Sequence, residues 1–162
     1  MANRRAALVF LTLAGLPLWL YGQNSTQSDL SGTWQLNLEK SKLPKSVKAT
    51  PETLTIKQAG LSIEFDYESN GKKTVEVYVA DKKDKVLREI PAAGSRIVAK
   101  AYWKGSTLIA ERRADFSMSS PLGLYEMMKT KDAWTLSADG SVLTDKLTSE
   151  ETQSFRVYER QK

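Results

Sequence analysis

The side chains able to do chemistry in this chain are carboxylates, lysines, arginines, tyrosines and hydroxyls, because histidine and cysteine are both absent from its 162 residues. That absence removes Ser-His-Asp and Cys-His catalysis, Cys/His zinc sites and c-type haem attachment. Ser69-Asn70-Gly71-Lys72 has the Ser-x-x-Lys spacing of some serine acyl-transfer enzymes. That chemistry needs the serine at the start of a helix, and this one falls in a hairpin turn. A two-carboxylate hydrolase needs one acid with a raised pKa and a second at a set distance. Asp66, Asp81, Asp84 and Asp139 fall instead on outward positions or turns. The sequence therefore assigns no catalytic residue, no metal ligands and no cofactor, and a non-enzyme is expected. What remains is electrostatic: Arg112 and Arg156, each in an alternating apolar segment.

Those segments must position the arginines. Beyond residue 30 no long helical period occurs, and alternation recurs every 8–14 residues between turn residues, the pattern of an antiparallel β protein. Strands are predicted at Thr33–Leu38, Glu52–Gln58, Leu61–Glu68, Lys73–Ala80, Lys85–Ile90, Arg96–Lys104, Ser106–Phe116, Tyr125–Ser137, Val142–Ser149 and Gln153–Arg160. Prolines 44, 51, 91 and 121 fall between them or at their ends. The expected fold is all-β, an up-and-down meander of about 8–10 strands closing into a barrel, since closure removes exposed edges.

Parity sets the registers. A turn at Ala59-Gly60 would oppose Ile56 to Ile63 and Leu54 to Phe65. At Asn70-Gly71 a two-residue turn would oppose Phe65 to Glu76. A three-residue loop, Ser69-Asn70-Gly71, instead pairs Phe65 with Val75 and Ile63 with Val77, and it is the one expected. Turns at Lys104-Gly105 and Asp139-Gly140 complete the hairpins.

The Lys104-Gly105 hairpin places Ile97, Ala99 and Ala101 on one face with Leu108, Ala110, Arg112 and Ala114. Small inward residues leave volume that either holds a small molecule or is filled by Trp34, Phe65, Tyr67, Trp103 and Trp134. Arg112 on that face needs an acid from the wall or an anionic ligand, unless the strand bulges and turns it to solvent. An inward Arg156 would meet Asp145, and that ion pair would compete with any ligand.

Ahead of the barrel, residues 1–22 have the layout of a secretory signal peptide: basic Met1–Arg5, apolar Ala6–Tyr21, then a polar segment, residues 23–29. The apolar run is short for a membrane span, which needs about 20 residues. Removing the leader takes two arginines and lowers the net charge from +5 to 22 − 19 = +3. The remaining lysines gather at turns without interleaved aromatics, which argues against nucleic acid as a partner. With 41% hydrophobic and 27% charged residues, the chain is globular, and one domain over residues 30–162 is expected.

Ser31-Gly32-Thr33-Trp34 resembles the Gly-x-Trp opening of the calycins, the lipocalins and fatty-acid-binding proteins. The resemblance implies that Gly32 and Trp34 close one barrel end and that an arginine of a late strand packs over the tryptophan. Arg156-Val157-Tyr158-Glu159 supplies that piece, and is also similar to the Arg-x-Tyr with which fatty-acid-binding proteins hold a carboxylate. On that likeness Arg156 and Tyr158 would grip an anionic head, with Arg112, Tyr67 and Trp103 as further ligand contacts. Residues 30–159 also resemble small exported bacterial proteins of lipocalin-like type, through Ser31–Trp34, Asn37, Lys40-Ser41 and Trp134–Gly140. Unlike fatty-acid-binding proteins, the chain has only Glu39–Thr50 where a helical lid would sit, and a long insertion at Ser117–Met128.

Two functions follow as expectations. One is a periplasmic or secreted lipocalin-like barrel, with no stable membrane span after leader removal, binding a small hydrophobic or amphipathic molecule. The other is a filled-core interaction or structural protein of the envelope, meeting a protein partner through the apolar Leu122–Met128.

Overall fold

The computed structural model describes residues 27–45, 47–90, 95–116 and 129–162. Ten strands form one antiparallel sheet: β1 (Gly32–Leu36), β2 (Thr53–Ala59), β3 (Ser62–Ser69), β4 (Lys72–Val79), β5 (Asp84–Ile90), β6 (Ser95–Lys104), β7 (Thr107–Phe116), β8 (Thr130–Leu136), β9 (Val142–Thr148) and β10 (Gln153–Arg160). The leader, residues 1–22, and the Ser117–Met128 insertion with its Leu122–Met128 surface lie outside the described residues. Among the described residues no helix is long and apolar enough to cross a membrane.

The sheet order is β4-β3-β2-β1-β10-β9-β8-β7-β6-β5, so the first and last strands pair, with Trp34 opposite Arg160 and Leu36 opposite Tyr158. The meander thus rolls into a barrel. Its two edges, β4 and β5, face each other across a seam that carries no ladder among the described residues. Alternation fills the lumen, because successive side chains of a strand point to opposite faces. Leu54, Ile56, Ile63, Phe65, Leu108, Trp134 and Leu143 are all buried there.

Three hairpins depart from the expected registers. The first turn is Gly60-Leu61, which opposes Ile56 to Phe65 and Leu54 to Tyr67, two residues from the expectation but with the same face inward. The second reverses a face. Asn70 (φ 51°) and Gly71 (φ 71°) form a two-residue turn with both central residues left-handed, and Phe65 opposes Glu76. That turn matches the twist of the flanking strands, which a three-residue loop would have to bulge to follow. Its consequence is that Glu76 and Tyr78 point into the barrel, while Val75 and Val77 are exposed. The third hairpin turns at Gly105-Ser106 and not at Lys104-Gly105, a shift of two residues that keeps the alanine face inward, with Ile97 opposite Ala114 and Ala99 opposite Arg112.

The end where β1 begins and β10 finishes is plugged by Trp34, which is fully buried and donates its indole N–H to the Leu30 carbonyl at 3.1 Å. The cation over its ring is Arg160, 4.1 Å from the ring centroid, and not Arg156. Arg160 also donates to the carbonyls of Ser31 and Gly140, each at 2.8 Å, so one side chain ties the start of β1 to the β8–β9 turn. Gly32 makes room for it. Its φ is +144°, and a Cβ there would stand 2.5 Å from Arg160 Nη1. Gly32→Ala is expected to cost about 1–3 kcal/mol through backbone strain and displacement of the arginine, read as a lower urea midpoint.

Candidate functional site

Above the Trp34 plug the lumen is first aromatic and then ionic. The Phe65 ring lies 5.0 Å from Trp134 and 5.5 Å from Tyr78, and Trp134 lies 5.9 Å from Tyr158. These rings fill the middle of the tube. Toward the opposite end, inward positions of six strands carry Tyr67, Glu76, Arg112, Asp132, Asp145 and Arg156, joined by Glu52 just ahead of β2.

Arg112 organises this layer. The side chain facing it from β6 is Ala99, and Ala110 precedes it on its own inward face, so a long guanidinium has space to lie across the lumen. Its Nη2 is 2.7 Å from Asp132 of β8, and its Nη1 is 3.4 Å from Glu76 of β4. Arg112 therefore faces inward and is paired, whereas Arg113 points outward to Asp84 at 2.8 Å. Burial works against the charge of Arg112, yet Asp132, Tyr78 and Glu76 together carry its pKa above the ordinary value.

The acids around it are under strain of the opposite kind. Burial pushes the Asp132 carboxyl up and the nearby Glu76 charge adds to this, while Arg112 pulls it down. Asp145, fully buried, is pushed well above the usual carboxylate range by desolvation and then by Asp132. Neither of its oxygens has a hydrogen-bond partner among the described residues. Arg156 sits opposite Asp145 in the ladder and feels Tyr158, Asp145 and Glu52, which outweigh its burial and raise its pKa. Tyr158, buried from solvent, donates its hydroxyl to Glu52 at 2.6 Å, and Tyr78 donates to Glu76 at 2.7 Å.

A cavity of about 300 Å³ opens beside this layer at the β4/β5 seam, walled by Glu76, Leu87, Ile97 and Ala114 and by three arginines, Arg88, Arg112 and Arg113. A second concavity, of about 610 Å³, is walled by Lys100, Glu111, Arg112, Arg113, Lys131 and Thr148. Its charges are partly paired, Lys131 with Glu111 at 3.8 Å.

Comparison with solved structures finds barrels of the same shape. A fatty acid transporter, REP1-NXSQ, matches with a TM-score of 0.59 at 16% identity over 82% of this chain and 96% of its own. Lipid binding protein 8 of Caenorhabditis elegans matches with a TM-score of 0.59 at 14% identity over 82% and 95%. The chain shares the fold of these barrels. A mutant of the fluorescent protein UnaG gives a TM-score of 0.57 at 16% identity over 82% of this chain and 96% of its own. No family model and no curated protein matches the sequence.

Of the residues singled out from sequence, Arg112 lines the cavity. Arg156, Tyr158 and Tyr67 sit in the ionic and aromatic layers beneath it, the Tyr67 ring 6.2 Å from Phe65. Trp103 packs half-buried against the core, opposite Leu108, and its indole N–H has no partner among the described residues. Gly32 and Trp34 form the plug. Sequence reasoning did not single out Glu76, Asp132 or Glu52 as inward acids. The available signal was the Asn70-Gly71 turn, whose ordinary geometry turns Glu76 inward.

Asp132 and Asp145 hold protons more tightly in the folded chain than in the unfolded one. Folding then takes up protons between the ordinary aspartate range near ~4 and the raised values, so their contribution to stability falls as pH climbs through that window. Asp145→Asn, which cannot ionise, is expected to flatten the fall in thermal midpoint between weakly acidic and neutral pH. It should also unfold at a higher temperature than the parent at neutral pH.

Proposed function

We propose that this chain is an exported, non-catalytic barrel that binds a small hydrophobic or amphipathic molecule in its interior. The observation that carries this reading is the cavity of about 300 Å³ at the seam, with Leu87, Ile97 and Ala114 on its apolar wall and Glu76, Arg88, Arg112 and Arg113 on its polar one. Such a division suits an amphipathic guest, since area removed from water drives entry and a few polar groups fix orientation. The volume is at the small end of the range for ligand sites. That two barrels of the same shape are described as a fatty acid transporter and a lipid binding protein supports the same class of guest.

Export rests on the basic, apolar and polar order of the first residues, and a periplasmic or secreted location follows from it. Protein recovered from the envelope or medium should begin at Gln23, and recovery of intact Met1 would overturn export by cleavage.

The neutral dye N-phenyl-1-naphthylamine tests the interior site without testing its charge. Its fluorescence is expected to rise and saturate with a Kd on the order of 1–10 μM, or about −7 to −8 kcal/mol. Ala114→Trp, which fills the cavity from its β7 wall, should weaken the dye at least tenfold while leaving the urea midpoint close to the parent's. A parent protein that leaves the dye dark at ~100 μM contradicts the reading.

A further inference from the structure

The cavity at the seam is walled by donors that no described residue accepts. β5 carries a bulge at Leu87: Val86 opposes Val98, and the next ladder pair is Arg88 with Ile97. Without the extra residue Arg88 would oppose Arg96, on the outer face. With it, Arg88 takes an inner-face position opposite Ile97 and walls the cavity, which is how a bulge re-aims a side chain. Arg88 is exposed there and makes no ion pair or side-chain hydrogen bond among the described residues, so a whole guanidinium stands open. The hydroxyls of Thr74 on β4 and Thr130 on β8 line the same cavity, and neither is hydrogen-bonded to a described residue.

The other charges of the wall are answered from within the chain. Arg113 closes its fork on Asp84 at 2.8 and 3.0 Å, and Arg112 is held by Asp132 at 2.7 Å. Glu76, the carboxylate of this wall among the described residues, takes the Tyr78 hydroxyl at 2.7 Å and faces Arg112 at 3.4 Å. What is left over at the cavity is one cation and two hydroxyls, a site short of acceptors. The adjoining concavity shares Arg112, Arg113 and Thr130 and adds four lysines against three carboxylates, so the approach is positive as well.

We propose that the interior site selects amphiphiles with a tetrahedral oxyanion head, a phosphate or sulfate ester, in preference to the carboxylates of fatty acids. A carboxylate presents two oxygens in one plane, whereas a phosphate or sulfate ester presents three, and the open donors come from three strands, β4, β5 and β8. The Arg88 fork takes two oxygens and the threonine hydroxyls serve the third. The tail lies along Leu87, Ile97 and Ala114. This rests on the barrel being a binder and names the head group of the guest in the same cavity.

Decyl phosphate, decyl sulfate, decanoate and decan-1-ol, equal in chain length, separate the head-group contribution when each is titrated by calorimetry at neutral pH. Both esters are expected to bind at least tenfold more tightly than decanoate, with decan-1-ol weakest. Inorganic phosphate alone should bind far more weakly than decyl phosphate, which assigns the head to an amphiphile and not to the free ion. Arg88→Gln and Thr130→Val should each shrink the ester-to-carboxylate ratio while leaving decan-1-ol affinity in place, and circular dichroism checks that both variants fold. Decanoate equal to or tighter than either ester overturns the proposal, as does inorganic phosphate as tight as decyl phosphate, or a ratio that neither variant moves. If the neutral dye and decan-1-ol bind but the esters have no advantage, this inference alone falls. If the dye and all four amphiphiles fail to bind, the binding function falls with it.

Discussion

A guanidinium inside a barrel must be surrounded by carboxylates, and the lumen of this protein is arranged around that requirement. Arg112 reaches from β7 to Asp132 on β8 and toward Glu76 on β4, across the tube and up to the strand that borders the seam. Removing one member of such a group leaves the others charged and dehydrated, which costs about 3–5 kcal/mol. The alanines of β6 and β7 make sense in this light. Their small side chains leave the space in which a long cation lies, and the same economy of volume leaves the cavity beside Ala114.

The ionic layer stands between two regions of different character. Below it, the aromatic stack of Phe65, Trp134, Tyr78 and Tyr158 and the Trp34–Arg160 plug make a solid core, where deleting a large ring costs about 3–5 kcal/mol. Beside it, at the seam, no ladder joins β4 to β5 among the described residues and the interior is reached from outside. One barrel thus holds its shape at one end and keeps its polar groups near an opening. Tyr158 bridges the two regions, its ring in the stack and its hydroxyl on Glu52.

Much of the scaffold was legible in the chain. Each of the ten strands lies over a segment read from alternation and turn residues, the alanine face is as expected, and the ladder partner of Arg156 is Asp145, the acid expected for an inward arginine, although parity left its direction open. What escaped has a common cause. Requiring an apolar inner face discarded the Asn70-Gly71 turn because it turned Glu76 inward, yet this inner face is not uniformly apolar. The rule failed where the polar layer is. Parity also could not choose between Arg156 and Arg160, which share a face four residues apart. Only register, with Trp34 opposite Arg160, gives the plug to the second and leaves the first among the acids.

The central claim, that the Arg112 bridge holds the polar layer together, is tested most directly by a double-mutant cycle in urea with Arg112→Met, Asp132→Asn and the two combined. The account predicts that Arg112→Met alone destabilises by about 3–5 kcal/mol and that adding Asp132→Asn restores a large part of the loss, a coupling well above the 0.3–0.5 kcal/mol of independent sites. Strictly additive losses, or an Arg112→Met protein as stable as the parent, would contradict it.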